Sequence, residues 1–102
     1  MQKDHILSYL REVKSELTKN GIEQIGLFGS FAKNNANPSS DIDIAIQLNK
    51  TYLNEHDVWE YFTLLEKIKK MLVSKFSRKV DLYDLDSTNE INKHIRKDVI
   101  YV

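Results

Sequence analysis

One run of residues constrains the fold more than any other: Asp41-Ile42-Asp43-Ile44-Ala45-Ile46-Gln47-Leu48 alternates without a break. Side chains along a strand point to opposite faces in turn. Ile42, Ile44, Ile46 and Leu48 therefore share one face, and Asp41, Asp43, Ala45 and Gln47 the other. The first face needs an apolar layer packed on it. The second opens with two carboxylates side by side.

The rest of the chain supplies that layer. Ile6, Leu10, Val13 and Leu17 recur at helical spacing, and Asn20-Gly21 stops the helix, with Gly21 suited to a left-handed cap. Ile22 to Phe28 reads as a strand, and Gly29-Ser30 opens a short helix through Ala32. Lys33 to Ser40, with three Asn, Pro38 and two Ser, reads as a loop. A long helix is expected from about Asn54 to Phe76, with Val58, Tyr61, Phe62, Leu65, Ile68, Leu72 and Phe76 as its apolar stripe. Lys79 to Tyr83 is a short strand. Ser87 or Thr88 caps a last helix that carries Ile91, Ile95 and Val99 to the C-terminus. The order αβ(α)βαβα predicts an α/β (α+β) fold, a small mixed β-sheet flanked by helices. At 102 residues the chain is expected to form one domain over 1–102.

Charge and composition exclude several classes of function. Fifteen basic and fifteen acidic residues give no net charge, which argues against strong nucleic-acid binding. The absence of Cys removes disulfides, thiolate metal sites and Cys nucleophiles. The N-terminus MQKDHILSYLREVK has no signal-peptide apolar run, and no stretch approaches the roughly 20 apolar residues of a membrane span. A cytoplasmic location and no membrane partner are the resulting expectations.

Asp41 and Asp43, at i and i+2 of one strand, lie roughly 6–7 Å apart on one face. Like charges at 4 Å repel by about 4 kcal/mol at an effective dielectric of 20, and bridging cations relieve this. Clustered hard oxygen donors suit Mg²⁺ or Mn²⁺. Asp81 lies in a strand whose Val80 and Leu82 face the core, so Asp81 shares its side with Tyr83. If that strand lies beside the 41–48 strand, Asp81 joins the other two. Three carboxylates around two ions about 3.5–4 Å apart form a layout for phosphoryl or nucleotidyl transfer. Asp81 is the candidate general base. Gly29-Ser30 comes directly after an apolar strand; the glycine lets backbone approach a phosphate, and the Ser30 hydroxyl adds a donor.

Gly29-Ser30-Phe31-Ala32, then Ser40-Asp41-Ile42-Asp43, then Lys79-Val80-Asp81-Leu82 resembles the polymerase-beta-type nucleotidyltransferase superfamily. At this length the chain is similar to its minimal nucleotidyltransferase (MNT) group, many of which serve as antitoxins to HEPN-domain ribonuclease toxins; Ile95 to Val102 looks like that group's last helix. The resemblance implies an Mg²⁺-dependent enzyme, two ions included, that uses ATP to attach AMP to a tyrosine of a HEPN toxin. By position, Gly29 and Ser30 bind phosphate, Asp41 and Asp43 hold metal, and Asp81 is both ligand and base. Where many members read Gly-Ser-x-Ala-Arg-Gly, this chain has Lys33-Asn34. Lys33 keeps the charge without the planar fork, and Asn34 tolerates a left-handed turn.

Three further sets of residues carry weaker signals. Lys33 and Lys50 can each reach a triphosphate, and Ser40 either bonds a ligand carboxylate or shapes the turn. His5, His56 and His94 have no metal-ligand spacing. Trp59, Tyr61 and Phe62 are either helix packing or a toxin-binding patch. Lys67, Lys69, Lys70, Lys75, Arg78 and Lys79 form a basic run, read first as a solvated face. The alternative to an enzyme is a non-catalytic antitoxin that neutralises its toxin by docking. A small-molecule transferase ranks below both.

Overall fold

The computed structural model describes residues 2–86 and 90–102. Its centre is a four-stranded sheet made of β1 (Ile22–Phe28), β2 (Ile42–Leu48), β3 (Val80–Asp84) and β4 (Ile100–Tyr101), in the order β3-β2-β1-β4. β2 runs antiparallel to β1 and parallel to β3, and β4 is antiparallel to β1, so the sheet is mixed. The helices are α1 (Lys3–Lys19), α2 (Gly29–Ala32), α3 (Lys50–Glu55), α4 (Val58–Phe76) and α5 (Glu90–Asp98).

The alternation of β2 sets the two layers. Ile42, Ile44, Ile46 and Leu48 are all fully buried and form one core with Ile6, Leu10 and Leu17 of α1 and Ile68, Leu72 and Phe76 of α4. Burying each such side chain contributes roughly 1.5–3 kcal/mol before entropy is counted. On the opposite face Ala45 packs with Leu85 and Ile95 of α5, flanked by Phe28, Tyr83 and Val99. Asp43 belongs to this second face. α1 ends as its sequence dictates: Asn20 and Gly21 donate to Leu17 and Thr18, and Gly21 takes φ +97°. A Cβ there would run into the Tyr52 ring, so the glycine also admits α3.

Four expectations need correction. The helix expected from Asn54 is two helices: Asn49 caps α3 through Thr51 and Tyr52, and Asp57 caps α4 through the Glu60 amide. Two Asx caps within eight residues favour a restart over one continuous helix. The apolar stripe narrows too, because Val58 and Phe62 are more than half exposed. The C-terminal helix does not run to the end. It stops at Asp98, and Ile100–Tyr101 turns back to pair with Leu27 and Gly26. Asp84 ends β3 rather than lying beyond it, and accepts a hydrogen bond from the Tyr61 hydroxyl. The expected cap at Ser87 or Thr88 and the side chain of Ile91 lie outside the described residues. No helix among the described residues is long and apolar enough to cross a membrane.

Candidate active site

The parallel register of β2 and β3 places Asp43 opposite Asp81. In-register neighbours on adjacent strands share a face at about 4.8 Å between backbones, so the two carboxylates confront each other on the α5 side of the sheet. Burial pushes the Asp43 carboxyl above its ordinary value, and the charges of Asp81 and then Asp41 push it further. Two carboxylates thus act on a third, the kind of repulsion that a cation would relieve.

Gly29 closes the arrangement from the other neighbouring strand. Phe28, the last residue of β1, pairs with Asp43, and the chain then turns into α2 with Gly29 at φ +78°. A Cβ on Gly29 would overlap Asp43 Oδ2 and come within 3.2 Å of its carboxyl carbon. Only glycine leaves backbone and carboxylate in direct contact here, in a conformation that L residues rarely adopt. Gly29, Ser30, Asp43 and Asp81 therefore meet at one end of three adjacent strands.

Asp41 sits just ahead of β2, and its Oδ2 lies 3.6 Å from Lys79 Nζ. Among the described residues no three acidic or histidine side chains converge as a ready-made metal cage. The donors nevertheless fit a hard divalent cation. They are carboxylates, the charges of Asp81 and Asp41 raise the proton affinity of Asp43, and Gly29 leaves no Cβ between backbone and Asp43.

The remaining sequence candidates are more peripheral. Lys33 points to α5 and pairs loosely with Asp98 at 3.9 Å, both side chains more than half exposed. Asn34 adopts φ 60°, so the left-handed turn is kept without glycine. The Ser40 hydroxyl accepts from the Asn37 amide at 2.9 Å, which is the turn-shaping arrangement. Lys50, exposed, opens α3 after β2, at the strand end opposite Asp41.

Several neighbours of the site had weak sequence signals. Tyr83 shares the parity of Asp81, and its ring meets Phe28 edge-on at 5.0 Å. Burial raises the Tyr83 hydroxyl's pKa, and the charges of Asp43 and Asp81 add to the rise. Strand parity was the available signal for Tyr83. Arg78 and Lys79 were hidden in the basic run, yet they contact the loop entering Asp41 and Asp41 itself. Trp59 and Phe62 are 76% and 55% exposed on α4, which packs on the opposite face of the sheet.

The sequence profile described as Polymerase beta, Nucleotidyltransferase matches residues 11–102. A Methanocaldococcus jannaschii protein named as a candidate protein adenylyltransferase, MJ1379, is 35% identical over 100 residues, covering 95% of this chain and 94% of its own. The protein adenylyltransferase MntA of Thermococcus cleftensis is 30% identical over 102 residues, covering 97% and 94%. A chain from a toxin–antitoxin crystal structure with AMP-PNP superposes with a TM-score of 0.62 at 25% identity, covering 99% of this chain and 72% of that one.

Proposed function

Because the chain belongs to the polymerase beta nucleotidyltransferase family, we propose that it is an antitoxin that transfers AMP from ATP to a tyrosine of a HEPN ribonuclease toxin. The observation that carries this reading is the meeting of Asp43, Asp81 and Gly29 across three adjacent strands. The names of the relatives supply the reaction class: protein adenylyltransferase, and a toxin–antitoxin assembly seen with an ATP analogue.

Each residue then has a part. Gly29 and Ser30 receive the phosphates, with backbone approach unobstructed by a side chain. Asp41, Asp43 and Asp81 would hold Mg²⁺, two ions when the site is full. Bound there, the metal would supply neutralising charge at the α-phosphate and at the departing pyrophosphate. Asp81 takes the proton of the acceptor hydroxyl as the oxygen attacks the α-phosphorus. One P–O bond forms, the bond to pyrophosphate breaks, and the proton resides on Asp81. Lys33, whose side chain among the described residues makes an exposed ion pair with Asp98, can swing to the triphosphate.

Intact-mass analysis of a cognate toxin incubated with this chain, ATP and Mg²⁺ tests the reading. A gain of one or more AMP masses on tyrosine is expected. No gain alongside tight binding sinks it and leaves docking as the mode of neutralisation. One observation favours that second reading: Asp41 is engaged by Lys79 at 3.6 Å. Asp43→Ala separates the two. Under transfer the variant fails to protect cells; under docking it protects them and the toxin keeps its mass.

A further inference from the structure

We infer that Arg78 is a positioning residue that clamps the three parts of the site together. The inference rests on the nucleotidyltransferase reading for its functional consequence, but its geometry is independent of that reading. Arg78 lies in the turn between α4 and β3, three residues before Asp81. Its Nη1 donates to the Pro38 carbonyl at 3.0 Å and the Ser40 carbonyl at 2.9 Å. Its guanidinium carbon lies 5.2 Å from the centre of the Phe31 ring. One side chain thus touches the helix that begins at Gly29-Ser30, the loop entering Asp41, and, through its own backbone, the strand of Asp81.

The contacts have a specific mechanical consequence. The Ser40 carbonyl belongs to the peptide group that joins Ser40 to Asp41. A donor on that oxygen fixes the peptide plane, and the plane sets the direction in which Asp41 leaves the backbone. The loop is already a compact unit: Ser40 N donates to Asn37 O at 3.0 Å, and Ser39 N to Asn37 Oδ1 at 2.8 Å. What it needs is attachment. Arg78 supplies it, aided by Ile42 N donating to Lys79 O at 3.0 Å. A guanidinium suits this place because one nitrogen serves two carbonyls while its carbon stays within cation–π reach of an aromatic ring. Lysine can reproduce the charge but not the planar fork of donors.

Two measurements on Arg78→Ala and Arg78→Lys test the clamp: Mn²⁺ affinity in the presence of AMP-PNP, read by electron paramagnetic resonance, and amide hydrogen exchange across residues 37–42. Outer partners of metal ligands typically govern affinity by about 10–100-fold. Arg78→Ala is expected to lose at least about tenfold in Mn²⁺ affinity and to exchange faster in 37–42, with exchange in α1 and β1 unchanged. Arg78→Lys should fall between this variant and the parent. Mn²⁺ affinity within twofold of the parent, or unchanged loop exchange, overturns the inference. Should Arg78→Ala fail to fold, the same two readings on Arg78→Lys decide, because it retains a cation at the carbonyls. If the parent protein binds no Mn²⁺ with AMP-PNP, the nucleotidyltransferase reading fails, while loop exchange still judges the clamp.

Discussion

Asp43 is a residue held at some cost. Burial, then Asp81, then Asp41 raise its pKa above the ordinary 3.8. An acid whose pKa rises on folding binds its proton more tightly in the folded chain. It therefore favours the folded state below the raised pKa and weakens it as pH climbs through that value. Asp43→Asn should raise Tm of the metal-free protein at neutral pH. A cross-strand pair changes stability by about 0.2–1 kcal/mol, unfavourably for like charges, which in a domain this size is roughly 1–8 °C. The gain should vanish on acidification through the carboxylate range, while AMP transfer is lost at every pH. Calorimetry from pH 3 to 8 checks both signs; an Asn variant less stable than the parent at pH 7 contradicts the charge argument. Gly29→Ala should do the opposite. A left-handed backbone costs an L residue about 1–2 kcal/mol, and the added methyl collides with the Asp43 carboxylate. The variant is expected to melt lower and to lose transfer, read by the same calorimetry and by intact mass.

Among the elements, legibility tracked the range of the signal. α1, β1, α2 and β2 were readable because their signals are local: a helical stripe, a glycine stop, a strict alternation. The division between α3 and α4 was also encoded locally, in Asn49 and Asp57, but apolar periodicity reports only on the residues after Asp57 and hides a cap set among charges. β4 was not readable at all. Ile95 and Val99 keep helical spacing right up to Ile100, and only the distant partners Gly26 and Leu27 make Ile100–Tyr101 a strand. The same distinction holds at the site. Gly29, Asp41, Asp43 and Asp81 stand in short patterns, whereas Arg78 matters because a loop forty residues earlier returns to it. The Asp57 cap allows a direct check. Asp57→Ala should cost about 1 kcal/mol by removing the acceptor for the Glu60 amide, whereas Trp59→Ala, at a mostly exposed position, should stay within about 0.5 kcal/mol. Urea unfolding of the two variants gives the comparison; equal losses would mean that the start of α4 is held by packing instead.

At the scale of the molecule, the sheet separates two duties. One face carries α1 and α4 and nearly all the fully buried side chains, while the other carries α5, a smaller core and the acids. The larger core lets the second face hold mutually repelling carboxylates without unfolding the chain. Net charge is zero, so no long-range field gathers a triphosphate; locally Asp41, Asp43 and Asp81 repel one. On the proposed function, Mg²⁺ alone would gain little, because it sheds water reluctantly and would compete with Lys79 for Asp41. On the same reading, the metal and the nucleotide would together cancel each other's unfavourable charge at the acids. Stabilisation should therefore require both. At a free concentration a hundred times its Kd, a ligand stabilises a fold by about 2.7 kcal/mol, or roughly 10–20 °C of Tm at this size. Mg²⁺ with AMP-PNP should give a shift of that order, either component alone far less, and Asp43→Asn none. A full shift from AMP-PNP without any divalent ion would show that the acids are not what receives the triphosphate, and would move the nucleotide to a basic side chain, Lys33 or Lys79.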